Sequence, residues 1–215
     1  PWATLYFEDH DGSSGFKGVV DQEGYDWLQA DYGFGYMSEW GFSGEWRGFP
    51  NATDGNFGHA SRPSGSVNTV VKDTAEHVII RSENETMVFD YHFFPTHGAI
   101  EVLKAEEPYC FLWEGTNGGS CEAEDFVVFS DGVKRHMTGE NFHLDIPDEW
   151  LYFGDPKRES MFLLAKRPDD ESLDENWRDL RNYELYSFGR GNGKDSPPWG
   201  ERSFDGTQHN LVYTF

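Results

Sequence analysis

The sequence predicts an all-β fold, an antiparallel β-sandwich of jelly-roll or concanavalin-like type. Two observations carry this prediction. Apolar runs are short, bounded by turn residues and rich in β-branched or aromatic side chains. Aromatic residues make up 17% of the chain and occur together with 24 glycines, a combination typical of twisted sheets with tight turns. The 215 residues are enough for one substantial core, so we expect a single domain over 1–215.

Eleven segments have the length and composition of strands. An Asp131-Gly132 pair lies between two of them and is the strongest hairpin signal in the chain. Residues 32–40 alternate glycine with aromatics, which predicts either an early strand or a loop over a cleft, and 194–208 predicts a loop. The predicted strands are 67–71, 77–82, 86–94, 99–105, 109–113, 126–130, 133–137, 150–153, 161–165, 183–188 and 211–215.

One short helix is predicted near residues 170–181. Residues 169–172 supply N-cap candidates and acids for a first turn. Leu173, Trp177 and Leu180 follow at helical spacing, and two arginines would lie in the last turn. We expect this helix to cover one end or one edge of the sheet.

The charge balance indicates an acidic, secreted protein. Asp and Glu number 39 against 17 Lys and Arg, a formal net charge of −22. Such a charge opposes binding to nucleic acid or to anionic membranes and would also repel a polyanionic substrate at long range. The high aromatic content suits stacking against flat ligands, so a polysaccharide or oligosaccharide is the expected partner. No segment approaches the length of a membrane span, and a start at Pro1 without a signal peptide suggests a processed chain. Glycosylation motifs at Asn51 and Asn84 fit an extracellular glycoprotein.

The two cysteines predict a disulfide. Cys110 and Cys121 are separated by ten residues that include Asn117-Gly118-Gly119. This spacing suits a hairpin or short loop closed by a disulfide, with a stabilisation of about 2–3 kcal/mol.

The segment that contains Tyr91, His92 and His97 is the most informative part of the chain. In a strand over 86–94, Tyr91 and His92 point to opposite faces, and neither face is purely apolar. One face should therefore lie outside an ordinary core. Pro95 interrupts the ladder before His97.

The leading functional hypothesis is a polysaccharide lyase that cleaves a uronic-acid glycan by β-elimination. This reaction needs a cation that neutralises the carboxylate, a base that takes the C5 proton and an acid for the leaving oxygen. Arginine, histidine and tyrosine residues on or next to predicted strands can fill these roles. The expected catalytic residues are His97, His92, Tyr91, Arg62 and Arg135, and the expected substrate contacts are His59, Arg81, Trp113, Glu114, His136, Tyr152 and Arg190.

Three alternatives remain open. A non-catalytic carbohydrate-binding module would use the aromatic side chains as a stacking face. A glycoside hydrolase would need two acids, of which Glu114 is the best candidate because it follows an apolar strand end. A cupin-like metalloenzyme would hold a divalent metal through His92, His97 and Glu101, whose H-x4-H-x3-E spacing only partly resembles the cupin pattern. The lyase hypothesis itself implies no cofactor.

Overall fold

A computed structural model describes residues 1–28, 48–60, 62–136, 142–179, 183–190 and 202–215. Fifteen strands and three short 3-10 turns form its regular structure, and the described residues contain no α-helix. The strands are β1 (Thr4–Phe7), β2 (Phe16–Val20), β3 (Val67–Thr74), β4 (His77–Glu83), β5 (Met87–Phe93), β6 (Gly98–Ala105), β7 (Phe111–Gly115), β8 (Phe126–Phe129), β9 (Lys134–His136), β10 (Phe142–Leu144), β11 (Trp150–Gly154), β12 (Met161–Arg167), β13 (Asp174–Asp179), β14 (Tyr183–Phe188) and β15 (Asn210–Thr214).

The strands form three antiparallel sheets. The large sheet has nine strands in the order β3-β4-β5-β6-β15-β12-β11-β8-β9, and the small sheet has four in the order β10-β13-β14-β7. Strands β1 and β2 form a separate pair. Residues 48–52 run along the free edge of β7, where Leu112 N donates to Pro50 O at 2.7 Å and Cys110 N to Ala52 O at 3.0 Å.

An aromatic core joins the large and small sheets face to face. Trp113 of the small sheet packs against Phe162 and Phe153 of the large sheet, at ring-centroid distances of 4.4 and 5.7 Å. Tyr186 likewise meets Phe129 at 5.6 Å. These side chains are at most 1% exposed. The predicted β-sandwich is confirmed, and each of the eleven predicted segments overlaps a strand.

Aromatic rings lie over glycines on neighbouring strands. Tyr213 is the register partner of Gly98, and Phe126 is the partner of Gly154. A Cβ added at either glycine would collide with the opposite ring. Because glycine has no side chain, the aromatic ring of the neighbouring strand fills the space above its backbone. The high glycine and aromatic contents of the chain thus have a common structural use.

The helix predicted near 170–181 is wrong where the structure describes it. Residues Asp174–Asp179 form β13, which pairs with both β10 and β14. Asn176 is buried, and its Nδ2 donates to Glu184 Oε1 at 2.9 Å. Strand pairing on both sides satisfies the backbone hydrogen-bonding groups of β13. This pairing outweighs the helical preference predicted from only three apolar residues at helical spacing. Residues 180–182 lie outside the described part of the chain.

The predicted disulfide is also wrong, because Cys110 and Cys121 are not bonded to each other. Cys110 immediately precedes β7, whereas Cys121 Sγ lies 3.9 Å from the carbonyl oxygen of Gly115, the last residue of β7. Five strand residues span about 16 Å. A disulfide needs Cα atoms within about 7 Å of each other, so the two thiols are too far apart to bond.

The two glycosylation motifs lie in structured positions. Asn51 is 8% exposed, and its Nδ2, the atom that would carry a glycan, donates to Glu114 Oε2 at 2.9 Å. Asn84 Nδ2 donates to Ser64 O at 3.1 Å, and Asn84 Oδ1 accepts hydrogen bonds from the backbone of residues 86 and 87. A glycan on Asn51 would remove its contact with Glu114.

The Gly/aromatic segment 32–40 and most of the predicted loop 194–208 lie outside the described residues. Within the described ranges, no helix has both the length and the apolar character needed to span a bilayer.

Replacing Gly98 by alanine tests the packing of aromatic rings over glycines. We expect Gly98→Ala to lower the free energy of unfolding by about 1–3 kcal/mol, because the added methyl group displaces the buried Tyr213 ring. Gly55→Ala is the control, since the nearest atom to its added Cβ is 3.5 Å away, and we expect a change within about 0.5 kcal/mol. Denaturant unfolding measures both, and equal effects would contradict the packing argument.

Thiol titration tests the state of the cysteines. We expect unreduced protein to expose two reactive thiols in denaturant. In the native state the half-buried Cys121 should react with DTNB well before Cys110, which is 0% exposed. Cys121→Ser should remove the fast phase alone. Absence of free thiols in the denatured, unreduced chain would show that the cysteines are bonded after all.

Candidate functional site

A polar cluster lies on the face of the small sheet that points away from the core. We call it the Glu114 cluster. It contains four residues that the sequence analysis selected, His59, Arg62, Glu114 and Arg190, and three that it did not select for this role, namely Asn51, Glu175 and Arg202.

Alternation along β7 places Glu114 on this outer face. Phe111 and Trp113 point into the core between the sheets, so Leu112 and Glu114 point the other way. Leu112 forms a small apolar group there with Cys110 and Leu185. All five residues of β7 are buried, so the carboxyl of Glu114 lies in a largely dry environment although it faces away from the main core.

Two side chains from the segment before β3 contact the Glu114 carboxyl. Asn51 Nδ2 donates to Glu114 Oε2 at 2.9 Å, and His59 Nε2 lies 3.9 Å from the same oxygen. Glu114 is 7% exposed and His59 is 2% exposed. The pair is thus shielded from bulk water.

Burial raises the pKa of Glu114 to about 7. The hydrogen bond from Asn51 and the charges of Arg190, Arg202 and Arg62 lower the pKa, but they do not offset the loss of solvation. A carboxyl with such a pKa is present in both protonation states near neutral pH, as a general acid or base requires.

The tautomer of His59 complements this carboxyl. His59 Nδ1 meets the backbone oxygen of Ala60, which can only accept, so Nδ1 carries a hydrogen. In a neutral ring, Nε2 then carries a lone pair. Because Nε2 faces Glu114 Oε2, this lone pair would repel an ionised carboxylate. The two atoms are 3.9 Å apart, which is longer than a hydrogen bond, so His59 and Glu114 act on each other electrostatically.

A second carboxyl with a raised pKa lies on the same face. Glu175 of β13 is the partner of Ser187 on β14, and Ser187 in turn is the partner of Leu112 on β7. Burial raises the pKa of Glu175 to about 7, and Arg190 partly offsets the shift. Arg190 thus acts electrostatically on both Glu114 and Glu175.

Sequence reasoning missed Glu175 and Asn51 for identifiable reasons. Glu175 was one of 39 acids and fell within the predicted helix. Asn51 was noted only as a glycosylation motif. No local pattern marks either residue, because their roles depend on which strands become neighbours.

Two predicted site residues, one catalytic and one substrate-binding, lie in the core. Tyr91 is 0% exposed, and its ring packs against Phe7 and Phe16 at centroid distances of 4.9 and 5.6 Å. Burial raises the pKa of Tyr91, so its hydroxyl is a poor proton donor. Trp113 is also 0% exposed. Neither side chain reaches a ligand without opening the sandwich.

His92 belongs to a hydrogen-bonded chain on the outer face of the large sheet. Lys72 Nζ donates to His77 Nδ1 at 2.9 Å, and His77 Nε2 lies 2.9 Å from His92 Nδ1. His92 Nε2 then reaches Glu101 Oε2 at 3.2 Å. One hydrogen on each imidazole satisfies the whole chain, and partial desolvation together with Lys72 and His92 lowers the pKa of His77.

His97 does not join His92 and Glu101 in one ligand set. The ring of His97 stacks on Phe94 at 4.7 Å, and Phe94 also stacks on His77 at 4.3 Å. The Phe94 ring therefore lies between His97 and the hydrogen-bonded chain that contains His77 and His92. In the parts of the chain that the structure describes, no group of three or more His, Cys, Asp or Glu residues is arranged to hold a metal ion.

The remaining predicted contacts are dispersed. Arg81 makes a two-pronged ion pair with Asp90, at 2.8 and 2.7 Å, within the sheet. Arg135 pairs with Asp131 at 2.7 Å and lies with His136 on the edge strand β9. Tyr152 lies on β11, where its ring is parallel to that of Trp150 at 6.5 Å. None of these contacts places them near Glu114.

Comparison of the chain with protein-family models finds no matching family, and no curated protein matches it. Function is therefore inferred from the chemistry of the Glu114 cluster.

Removing the titratable carboxyl of Glu114 should change how stability depends on pH. A folded-state pKa raised from 4.5 to about 7 gives a stability contribution that is complete below pH 4.5 and is lost as the pH rises through 7. The full shift corresponds to about 3 kcal/mol at most. We expect the melting temperature of the wild type to fall between pH 5 and pH 8, and that of Glu114→Gln to fall less.

Glu106→Gln is the matched control, because its exposed carboxyl also carries one charge but lies outside the cluster. Thermal unfolding at a series of pH values measures all three proteins. The same pH dependence in Glu114→Gln and in the wild type would show that the Glu114 pKa is not raised.

Proposed function

We propose that this chain is a secreted carbohydrate-active enzyme that cleaves a uronic-acid polysaccharide by β-elimination at the Glu114 cluster. One observation carries the proposal. A buried carboxyl with a pKa near 7 contacts a histidine under the electrostatic influence of three arginines.

These groups match the requirements of β-elimination. A cation beside the uronate carboxylate makes the C5 proton more acidic, a role suited to Arg62 or Arg190. His59 takes the C5 proton, and the electron pair of that bond forms the C4–C5 double bond. The C4–O bond then breaks, and Glu114 delivers its proton to the leaving oxygen. The products are an unsaturated uronate and a new sugar end.

The charge distribution supports an acidic substrate at this position. The chain has a net charge of −22, which repels a polyanion at long range. Repulsion from distant charges is screened within about 8–10 Å at moderate salt, so the local charges decide binding. Arg62, Arg190 and Arg202 all act on Glu114. The secreted location remains part of the proposal and rests on composition, without support from a disulfide.

A non-catalytic glycan-binding role is the second candidate. Trp150 and Tyr152 on β11 have rings within 5° of parallel at a centroid distance of 6.5 Å, while the Phe126 ring stands nearly perpendicular to that of Tyr152 at 6.4 Å. Aromatic side chains grouped in this way suit stacking against sugar rings. Such binding would need neither Glu114 nor His59.

The decisive assay follows the ultraviolet absorbance of the unsaturated product on a panel of uronic-acid polysaccharides. We expect activity on at least one substrate, reduced about 100-fold or more in His59→Ala and in Glu114→Gln, because each variant removes one proton-transfer group. His97→Ala should retain activity, since His97 lies in the turn between β5 and β6, away from the Glu114 cluster.

The outcomes separate the hypotheses. Loss of activity in His97→Ala but not in Glu114→Gln would move the site to the large sheet and contradict the proposal. New reducing ends without an unsaturated product would indicate a hydrolase that uses Glu114 and Glu175. Glycan binding without any cleavage would favour the binding module.

A further inference from the structure

An open cleft of about 650 Å³ lies where the β1–β2 pair meets the turn after β7. We call it the Tyr6 cleft. Tyr6, Lys17, Tyr25, Asp26 and Arg158 line it together with the turn residues Gly118–Ser120. No residue of the Glu114 cluster is part of this lining, and the sequence analysis selected none of these side chains.

Tyr6 presents an open aromatic surface in the cleft. It is the register partner of Gly18, and a Cβ added at Gly18 would lie 2.9 Å from Tyr6 Cδ2. The tyrosine side chain thus lies across the bare backbone of β2, which supports it from one side. Its side chain remains 51% exposed, compared with 36% for Tyr25 in the same cleft. A supported, exposed ring suits stacking against the apolar face of a pyranose.

Neighbouring groups hold Arg158 in place through its ring contact and its Nε, and its terminal nitrogens can still donate hydrogen bonds to a ligand. Its guanidinium lies over the Tyr25 ring at 3.5 Å, and its Nε is 3.3 Å from Gly118 O and 3.4 Å from Asp155 Oδ2. Within the described residues, its two terminal nitrogens make no hydrogen bond. Stacking fixes the planar group, so these donors are oriented before a ligand arrives.

Asp26 supplies an oriented acceptor on the same cleft. Its Oδ1 accepts hydrogen bonds from Val19 N and Leu28 N, each at 3.0 Å. These two bonds fix the carboxylate and leave Oδ2 to face a ligand. A fixed acceptor beside fixed donors is the arrangement that neighbouring sugar hydroxyls can satisfy together.

The charges of the cleft favour a neutral ligand. Lys17 is paired with Glu8 at 3.0 Å, Arg158 with Asp155, and Asp26 adds a further negative charge. Each cation thus has an acidic side chain nearby, so a phosphate or a polyanion would gain little electrostatic binding energy in this cleft. A hydroxyl-rich neutral ring fits both the donors and the acceptor.

We propose that the Tyr6 cleft is a binding site for a neutral saccharide unit. Tyr6 stacks on the pyranose ring, Arg158 donates to ring hydroxyls and Asp26 accepts from them. The site is separate from the Glu114 cluster and acts without cleavage, as an anchor for a glycan. It does not depend on the function proposed for that cluster.

Titration calorimetry with neutral gluco-, xylo-, manno- and galacto-oligosaccharides tests this site on the intact chain. We expect at least one series to bind, and Tyr6→Ala and Arg158→Ala each to weaken binding about tenfold or more. Tyr152→Ala should bind as the wild type does, because Tyr152 lies on the large sheet. Glu114→Gln should also keep full binding, which separates this site from the proposed lyase activity.

Several results would overturn the proposal. These are no binding of any neutral series, binding unchanged in both cleft variants, or binding lost in Tyr152→Ala instead. A preference for oligogalacturonate over every neutral series would contradict the assigned ligand class. Because Tyr6 is half exposed, Tyr6→Ala should fold even if Arg158→Ala does not, and thermal unfolding of each variant checks this.

Discussion

The packing of aromatic rings over bare glycine backbone is the interaction on which the rest of this structure depends. Tyr213 over Gly98, Phe126 over Gly154 and Phe204 over Gly189 occupy space that any other residue would fill with its own Cβ. The rings bring neighbouring strands close and fix their register, because a shift of one residue would set each ring against a side chain. The same device outside the core places Tyr6 over Gly18 at the edge of a cleft.

Register in turn decides the electrostatics of the Glu114 cluster. Once Trp113 is directed into the core, Glu114 must point to the opposite face of β7, where Leu112 and Leu185 provide apolar surroundings. Desolvation there raises the pKa of Glu114 and, on β13, that of Glu175. The raised pKa values of these carboxyls are thus a consequence of burial on the outer face of the small sheet, with arginines that only partly offset the cost of burial.

Sequence alternation separated Tyr91 from His92 correctly but could not tell which face would be covered. Tyr91 became a core residue beneath the β1–β2 pair, while His92 joined a hydrogen-bonded chain that runs across four strands. The structure brings together four residues that the sequence selected for a site, namely His59, Arg62, Glu114 and Arg190. Their type suited the chemistry, but nothing in the sequence indicated that they would meet. Asn51 and Glu175 carried no local signal at all.

By itself the sequence determined the all-β class and the position of most strands, because strand length, residue type and turn chemistry are local properties. It could not determine strand order, which set β13 between β10 and β14 in place of the predicted helix. It also could not reveal that Cys110 and Cys121 lie at opposite ends of β7. Tertiary structure alone decided which carboxyls lost water, since desolvation depends on neighbours distant in the chain.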